Sequence, residues 1–265
     1  MLAPAKVNLM LHVTGKRADG YHLLQSLVMF ADIGDDVSLT PSDDFSLIVT
    51  GEFASHLHGE NLITKVAHAF DARGFLTLSK NLPVGSGLGG GSADAAAAIR
   101  LLSLPTKGEE FGSDIPACLH AAPLWMEGVG ERITPVSIPF DVAVLLVNPR
   151  REVYTKAVYQ RLAPPYAAPM KLPSQFTTLA ELLQFLEKTH NALKTPATQM
   201  EPMIGTVIKA ITALPSCLLS RMSGSGGTCF GIFPTQDACI NAARALQTAH
   251  PDWWVRATKL QGNHG

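Results

Sequence analysis

The run Pro83-Val-Gly-Ser-Gly-Leu-Gly-Gly-Gly-Ser-Ala-Asp-Ala-Ala-Ala-Ala98 constrains this chain more than any other stretch. Five glycines within seven residues lead straight into an alanine-rich segment. Glycine admits φ > 0 and lets the backbone turn its N–H groups inward, while a helix that follows offers unpaired N–H groups and a positive dipole end. Together these make a cradle for a phosphate. Ser92 is the expected N-cap, Asp94 falls in the first turn where negative charge is tolerated, and the alanines at 95–98 are strong helix formers.

The kind of cradle can be narrowed. A P-loop needs a lysine after its last glycine, and Gly90-Gly91-Ser92 has none. Gly85-x-Gly87-x-x-Gly90 fits a dinucleotide fingerprint, but such a loop should end a buried strand and be followed by an acid about 20 residues on. Here Lys80, Asn81 and Pro83 interrupt the approach, and Glu109 and Glu110 come only after a Pro-Gly break. Phosphate binding of another class is the better reading; a loop that merely caps a helix is the plain alternative.

Composition limits the partners. The chain has 265 residues, 46% hydrophobic and 16% charged, with a net charge of −1, enough for one large domain or two ordinary ones. There is no broad basic field, so nucleic-acid binding through many phosphates is not expected. The longest apolar run, residues 142–147, is far below membrane-spanning length, and Lys6, Asn8 and His12 interrupt the start. A soluble cytoplasmic protein with no membrane partner follows as the expectation. Cys118, Cys217, Cys229 and Cys239 form no C-x-x-C pair and read as reduced core residues, and the histidines show no metal-ligand spacing.

Period-two alternation over residues 7–13 predicts a half-buried strand with Lys6 and Asn8 on one face. Further strands are expected at 23–30, 37–40 and 45–50, with turns at 34–36 and 41–44, then a helix from Leu62 to Phe70 and a strand at 75–79. The helix after the glycine run should cover 92–104. Beyond Pro149, helices are expected at 152–162, 179–189 and 198–214, separated by linkers at 163–173 and 194–196. Strands at 217–222 and 228–233, a helix at 237–249 and a strand at 254–259 complete the pattern. Strands followed by helices suggest α+β layers rather than regular βαβ winding. Trp253 and Trp254 read as core aromatics.

Four other segments stand out beside the glycine run: Ala3-Pro-Ala-Lys-Val-Asn-Leu9, Arg17-Ala-Asp-Gly-Tyr-His22, Gly112-Ser-Asp-Ile-Pro116 and Met222-Ser-Gly-Ser-Gly-Gly227. In this order they resemble the galactokinase, homoserine, mevalonate and phosphomevalonate kinase superfamily, and within it the branch acting on a cytidyl diphosphate substrate. The resemblance implies an α+β, two-domain small-molecule kinase fold. Residues 1–139 would form an ATP-binding and catalytic domain like domain 2 of ribosomal protein S5, and residues 140–265 a ferredoxin-like domain on the substrate side. It also implies ATP as phosphoryl donor with Mg²⁺, and phosphorylation of the 2-hydroxyl of 4-diphosphocytidyl-2-C-methyl-D-erythritol in non-mevalonate isoprenoid biosynthesis.

Residue by residue, the resemblance makes Asp114 the general base and Lys6 its catalytic partner, offsetting transition-state charge. Pro83, Val84, Gly85, Ser86, Gly87, Leu88, Gly89, Gly90, Gly91, Ser92 and Ala93 would hold the nucleotide phosphates, with Ser92 near phosphate or Mg²⁺ and Asn61 near the adenine. Asn8 would orient substrate, and Tyr21 and His22 would bind the cytidine, with Asp19 bracing their turn. Taken alone, Asp114 reads as a helix-capping aspartate, Lys6 as a solvated strand lysine, and Gly224 to Gly227 as a tight hairpin. Related kinases have room for another helix where residues 103–111 form a short polar connection. A non-catalytic nucleotide-binding protein, or a kinase of the same superfamily acting on another small alcohol, therefore stays open at this point.

Overall fold

A computed structural model describes residues 1–263. In chain order its strands are β1 (Leu2–Lys16), β2 (His22–Thr40), β3 (Phe45–Thr50), β4 (Gly74–Ser79), β5 (Leu124–Gly128), β6 (Arg132–Pro135), β7 (Val142–Asn148), β8 (Leu219–Met222), β9 (Cys229–Ile232) and β10 (Trp254–Gln261). The helices are α1 (Leu62–Ala69), α2 (Gly90–Leu101), α3 (Ile115–His120), α4 (Thr155–Gln160), α5 (Leu179–Glu187), α6 (Lys194–Met200), α7 (Met203–Thr212) and α8 (Gln236–Ala249).

All ten strands join one sheet, whose main path runs β3-β4-β2-β10-β7-β9-β8. β2 is its hub: it pairs antiparallel with β1, β4, β5 and β10. Its 19 residues run through the positions expected to turn at 34–36. Gly34 is glycine for another reason, because a Cβ there would stand 2.0 Å from the Ala3 carbonyl oxygen of β1. A strand glycine marks close backbone approach as readily as a turn, and the two are indistinguishable along one chain. The β5–β6 hairpin was not anticipated from sequence.

Two other expectations are corrected. Residues 194–196, read as a linker, open α6; Pro196 sits in its first turn, where a missing N–H costs no helical bond. The helix expected over 198–214 is instead split into α6 and α7 at Glu201 and Pro202.

The alanines of α2 serve packing as well as propensity. Ala93, Ala95, Ala96, Ala97 and Ala98 are all buried in one apolar cluster with Val28 and Phe30 of β2, Ile63 and Val66 of α1, and Ile115 and Ala117 of α3. Small side chains let the helix lie close to the sheet on one side and to two helices on the other. A second cluster packs α7 and α8 against β7 and β9, with Trp253 buried in it, and Trp254 is buried in a third. All four cysteines are free thiols; Cys118, Cys229 and Cys239 are buried and Cys217 is half-buried.

Candidate active site

The chain from β4 to α2 makes three left-handed steps, Gly85, Gly87 and Gly89, at φ of +60°, +76° and +65°. Gly89 is the N-cap of α2, so the helix begins at Gly90 and no side chain caps it. Ser92, the expected cap, lies half-buried in the first turn, because the left-handed Gly89 already caps the helix three residues earlier. The first helical N–H groups thus face the loop without a side-chain acceptor, the arrangement that receives an anion.

β1 delivers two side chains to this loop. The Lys6 N–H donates to the Leu88 carbonyl at 2.8 Å, and a Cβ on Gly89 would lie 3.0 Å from Lys6 Cε. Lys6 is 4% exposed. Its Nζ lies 3.1 Å from Asp114 Oδ2 and donates to Asn8 Oδ1 at 3.0 Å. Lys6 and Asn8 share a face, as the alternation requires. The strand expected to be half-buried is instead covered on both faces from Ala5 to Val13, because the loop and the chain after β8 pack over the side that carries these polar groups. Asp114 occupies the N-cap position of α3, yet its side chain makes no capping bond; the carboxylate is turned to Lys6 instead. The short 103–111 connection leaves that pairing intact. Ser92 Oγ lies 3.9 Å from where a Cβ of Gly112 would stand, so the first turn of α2 borders the Asp114 segment.

The turn after β8 closes the loop from the other side. Ser223 Oγ donates to the Gly87 carbonyl at 2.9 Å and accepts from the Asn8 N–H at 3.1 Å. The Thr228 N–H donates to the Ser86 carbonyl at 2.8 Å. A Cβ on Gly87 would stand 2.3 Å from the Ser223 carbonyl oxygen, and one on Gly224 would stand 2.9 Å from that of Gly87. The two glycine turns are therefore backbone against backbone. Asn8 Nδ2 donates to Ser26 Oγ at 2.7 Å, which ties the side chain to β2.

Beyond β1, Asp19 braces the turn as expected: its Oδ1 accepts from the Tyr21 N–H at 3.2 Å, and Oδ2 pairs with Arg17 at 2.7 Å. Tyr21 is 64% exposed. His22 is buried, its ring centroid 5.3 Å from Tyr159 and 5.8 Å from Tyr166. Its Nε2 has no hydrogen-bond partner. Burial, reinforced by Lys16, lowers its pKa and favours the neutral ring. Burial and then the Asp114 charge push the Tyr159 phenol up, placing α4 within electrostatic reach of the acid. Neither Tyr159 nor Tyr166 belongs to a motif, so only the folded chain reveals them as neighbours of His22.

Asn61 is the N-cap of α1, its Oδ1 accepting from the Ile63 N–H at 2.8 Å. Leu62 Cδ1 lies 3.8 Å from where a Cβ of Gly91 would stand, so this helix end borders the first turn of α2. Asp94, expected in the first turn of the helix, lies past it because α2 begins at Gly90; it is buried, and its Oδ2 accepts from Lys80 Nζ at 2.8 Å. Lys80 also pairs with Asp35. Burial acts to lower the Lys80 pKa, and the two carboxylates more than offset it. Burial pushes the Asp94 carboxyl up to about 7, with Lys80 opposing. Lys80 looked like an interruption and Asp35 like a turn residue, and no local signal joins them.

The geometry has counterparts among known proteins. Residues 61–114 match the GHMP kinases N terminal domain and residues 174–252 the GHMP kinases C terminal family. A 4-diphosphocytidyl-2-C-methyl-D-erythritol kinase of Dinoroseobacter shibae is 46% identical over 270 residues, covering 98% of this chain and 94% of the relative. That of Paracoccus denitrificans is 45% identical over 262 residues, covering 97% and 95%. A crystal structure of 4-(cytidine 5'-diphospho)-2C-methyl-D-erythritol kinase superposes with a TM-score of 0.77 at 30% identity over 99% of both chains. The L. major mevalonate kinase shares the fold, with a TM-score of 0.65 at 14% identity over 100% of this chain and 96% of the other. With identity of this order over nearly the whole of both chains, the chain belongs to the 4-diphosphocytidyl-2-C-methyl-D-erythritol kinase family of the GHMP kinases.

Proposed function

We propose that this protein transfers the γ-phosphoryl group of ATP to the 2-hydroxyl of 4-diphosphocytidyl-2-C-methyl-D-erythritol, a step of non-mevalonate isoprenoid biosynthesis in the cytoplasm. The observation that carries the reading is the Lys6–Asp114 pair at 3.1 Å, held against the glycine loop. Phosphoryl transfer needs in-line positioning, neutralisation of spreading charge and an acceptor for the nucleophile's proton. The backbone N–H groups of the loop and the first turn of α2 receive the phosphates. Asp114 Oδ2 takes the proton of the attacking hydroxyl, and the Lys6 ammonium offsets negative charge that grows beside it. Asn8, fixed by Ser26 and Ser223, orients the acceptor.

Tyr21 supplies a ring on which the cytosine stacks, and the unpartnered Nε2 of His22 supplies a polar contact to its edge. Tyr159 adds a second aromatic wall. Residues 1–139 form the ATP-binding and catalytic part in this reading, and the remainder closes the acceptor side. Mg²⁺ prefers oxygen ligands and keeps several waters, so the half-buried Ser92 hydroxyl in the first turn of α2 suits an ion that arrives with ATP; when bound it neutralises phosphate charge. No group of three or more His, Cys, Asp or Glu among the described residues could hold a metal by itself. Among them, too, no helix is long and apolar enough to cross a membrane.

Incubation with ATP, Mg²⁺ and the cytidyl substrate should give ADP and a new phosphomonoester signal in ³¹P NMR. Absence of that signal where a known kinase works would refute the activity. Equal turnover of mevalonate, homoserine or a uridyl analogue would keep the kinase and overturn its substrate.

A further inference from the structure

Behind the glycine loop lies an ionic cluster with no part in the chemistry above. Lys80 is 2% exposed and Asp35 is 0% exposed. The Lys80 ammonium donates to Asp35 Oδ2 and, at 2.8 Å, to Asp94 Oδ2. Asp35 Oδ1 accepts the N–H groups of Asn81 at 2.6 Å and Leu82 at 2.8 Å. One ammonium and two carboxylates thus join three pieces of chain: β2 through Asp35, the entry to the loop through residues 80–82, and α2 through Asp94.

Two features connect the cluster to the loop rather than to stability in general. Replacing a buried ion pair with apolar side chains of similar volume often leaves stability unchanged or improved, so burial of these charges calls for another reason. A glycine-rich loop, in turn, has much backbone freedom to lose, and anchoring it at both ends removes that cost before a ligand arrives. The second feature is Gly90. It is the first residue of α2 and lies outside the left-handed region, so its backbone does not require glycine. A Cβ there would instead stand 2.9 Å from Lys80 Nζ and 3.3 Å from Asp35 Oδ2. The cluster occupies the space where a side chain would be.

We propose that Lys80, Asp35 and Asp94 are positioning residues for the nucleotide: a buried ionic clasp that fixes the glycine loop and the first turn of α2 in the conformation that receives the phosphates of ATP, and that demands glycine at position 90. The inference rests on the kinase reading of the loop. If the wild-type protein failed to bind or use ATP, that reading would fall first; normal wild-type turnover with unaltered variants would sink the clasp alone.

The test separates the KM for ATP from the KM for the acceptor, kcat and the thermal midpoint. Asp94→Leu removes one of the two carboxylate acceptors of the Lys80 ammonium, the one that ties it to α2, while keeping the branched side-chain shape. It should raise the KM for ATP by about 10-fold, the scale on which supporting contacts act. The KM for the cytidyl acceptor should stay within about twofold, which general unfolding would not produce. Asp94→Asn keeps an oxygen for Lys80 and should restore ATP binding to within about threefold of wild type. Gly90→Ala provides an independent arm if Asp94→Leu fails to fold. It should raise the KM for ATP in the wild type and add little in a Lys80→Met background, where its nearest collision partner, the Lys80 ammonium, is gone. Unchanged ATP KM in folded Asp94→Leu and Gly90→Ala would overturn the proposal. So would equal damage from Asp94→Asn and Asp94→Leu, or strict additivity of Gly90→Ala with Lys80→Met.

Discussion

Asp114 shows how a residue's position and its side chain can serve different ends. Its backbone starts α3, while the carboxylate leaves the helix uncapped and pairs with Lys6. A lone aspartate before Ile115 and Pro116 reads as a cap, and resemblance alone suggested otherwise. In the proposed chemistry, Asp114→Asn should leave ATP affinity nearly unchanged and cut kcat by about 100-fold or more, since proton acceptance and charge positioning act mainly in the transition state. Wild-type-like turnover of that variant would refute the base assignment. Lys6→Ala should also lower kcat. If the pair acts as a unit, the double variant should lose far less than the product of the two single losses.

At the scale of elements, the site exists because two glycine turns meet. Left-handed backbone is only part of why their glycines are needed, and two substitutions separate the reasons. At Gly85 a Cβ would meet nothing nearer than the Val153 carbonyl oxygen at 4.0 Å, so Gly85→Ala should cost about 1–2 kcal/mol of unfolding free energy for the left-handed conformation alone. At Gly87 the same change adds a 2.3 Å collision with the Ser223 carbonyl oxygen and 2.9 Å with that of Gly226. Gly87→Ala should therefore destabilise further and raise the KM for ATP by parting the turns. Urea unfolding of both variants measures this, and equal losses would show that the turns do not constrain each other. The sequence showed both motifs but not their contact, because 136 positions separate the Ser223 hydroxyl from the Gly87 carbonyl it meets.

The whole molecule adds a pH dependence that no motif signals. His12 is buried beside His190, with ring centroids 4.4 Å apart, and Nε2 of His12 accepts from the His190 N–H at 3.3 Å. Burial, then the His190 and Arg221 charges, lowers its pKa from 6.5 to about 4. The unfolded chain binds a proton here at ordinary pH values that the folded chain resists. Stability from this group is thus complete above about pH 6.5 and declines as pH falls toward about 4, by up to about 1.4 kcal/mol per pH unit. His22 and His190 shift in the same direction. Urea midpoints from pH 7 to pH 4 should fall more steeply for the wild type than for His12→Gln, and parallel curves would exclude His12 as a source of the acid sensitivity.

What the sequence determined was local: the glycine loop and its helix, the strand face shared by Lys6 and Asn8, the Asp19 turn, and an α+β order of elements. These follow from backbone freedom, periodicity and short-range hydrogen bonding, all of which operate within a few residues. Tertiary structure decided which glycines answer to φ and which, like Gly34 and Gly90, to a neighbour's atoms. It also decided that Asp94 would be buried on Lys80, and that β2 would run unbroken through Asp35. Those outcomes depend on burial and close approach between distant segments, and a charge pattern read along one chain cannot specify which lysine will neutralise which acid once water is excluded.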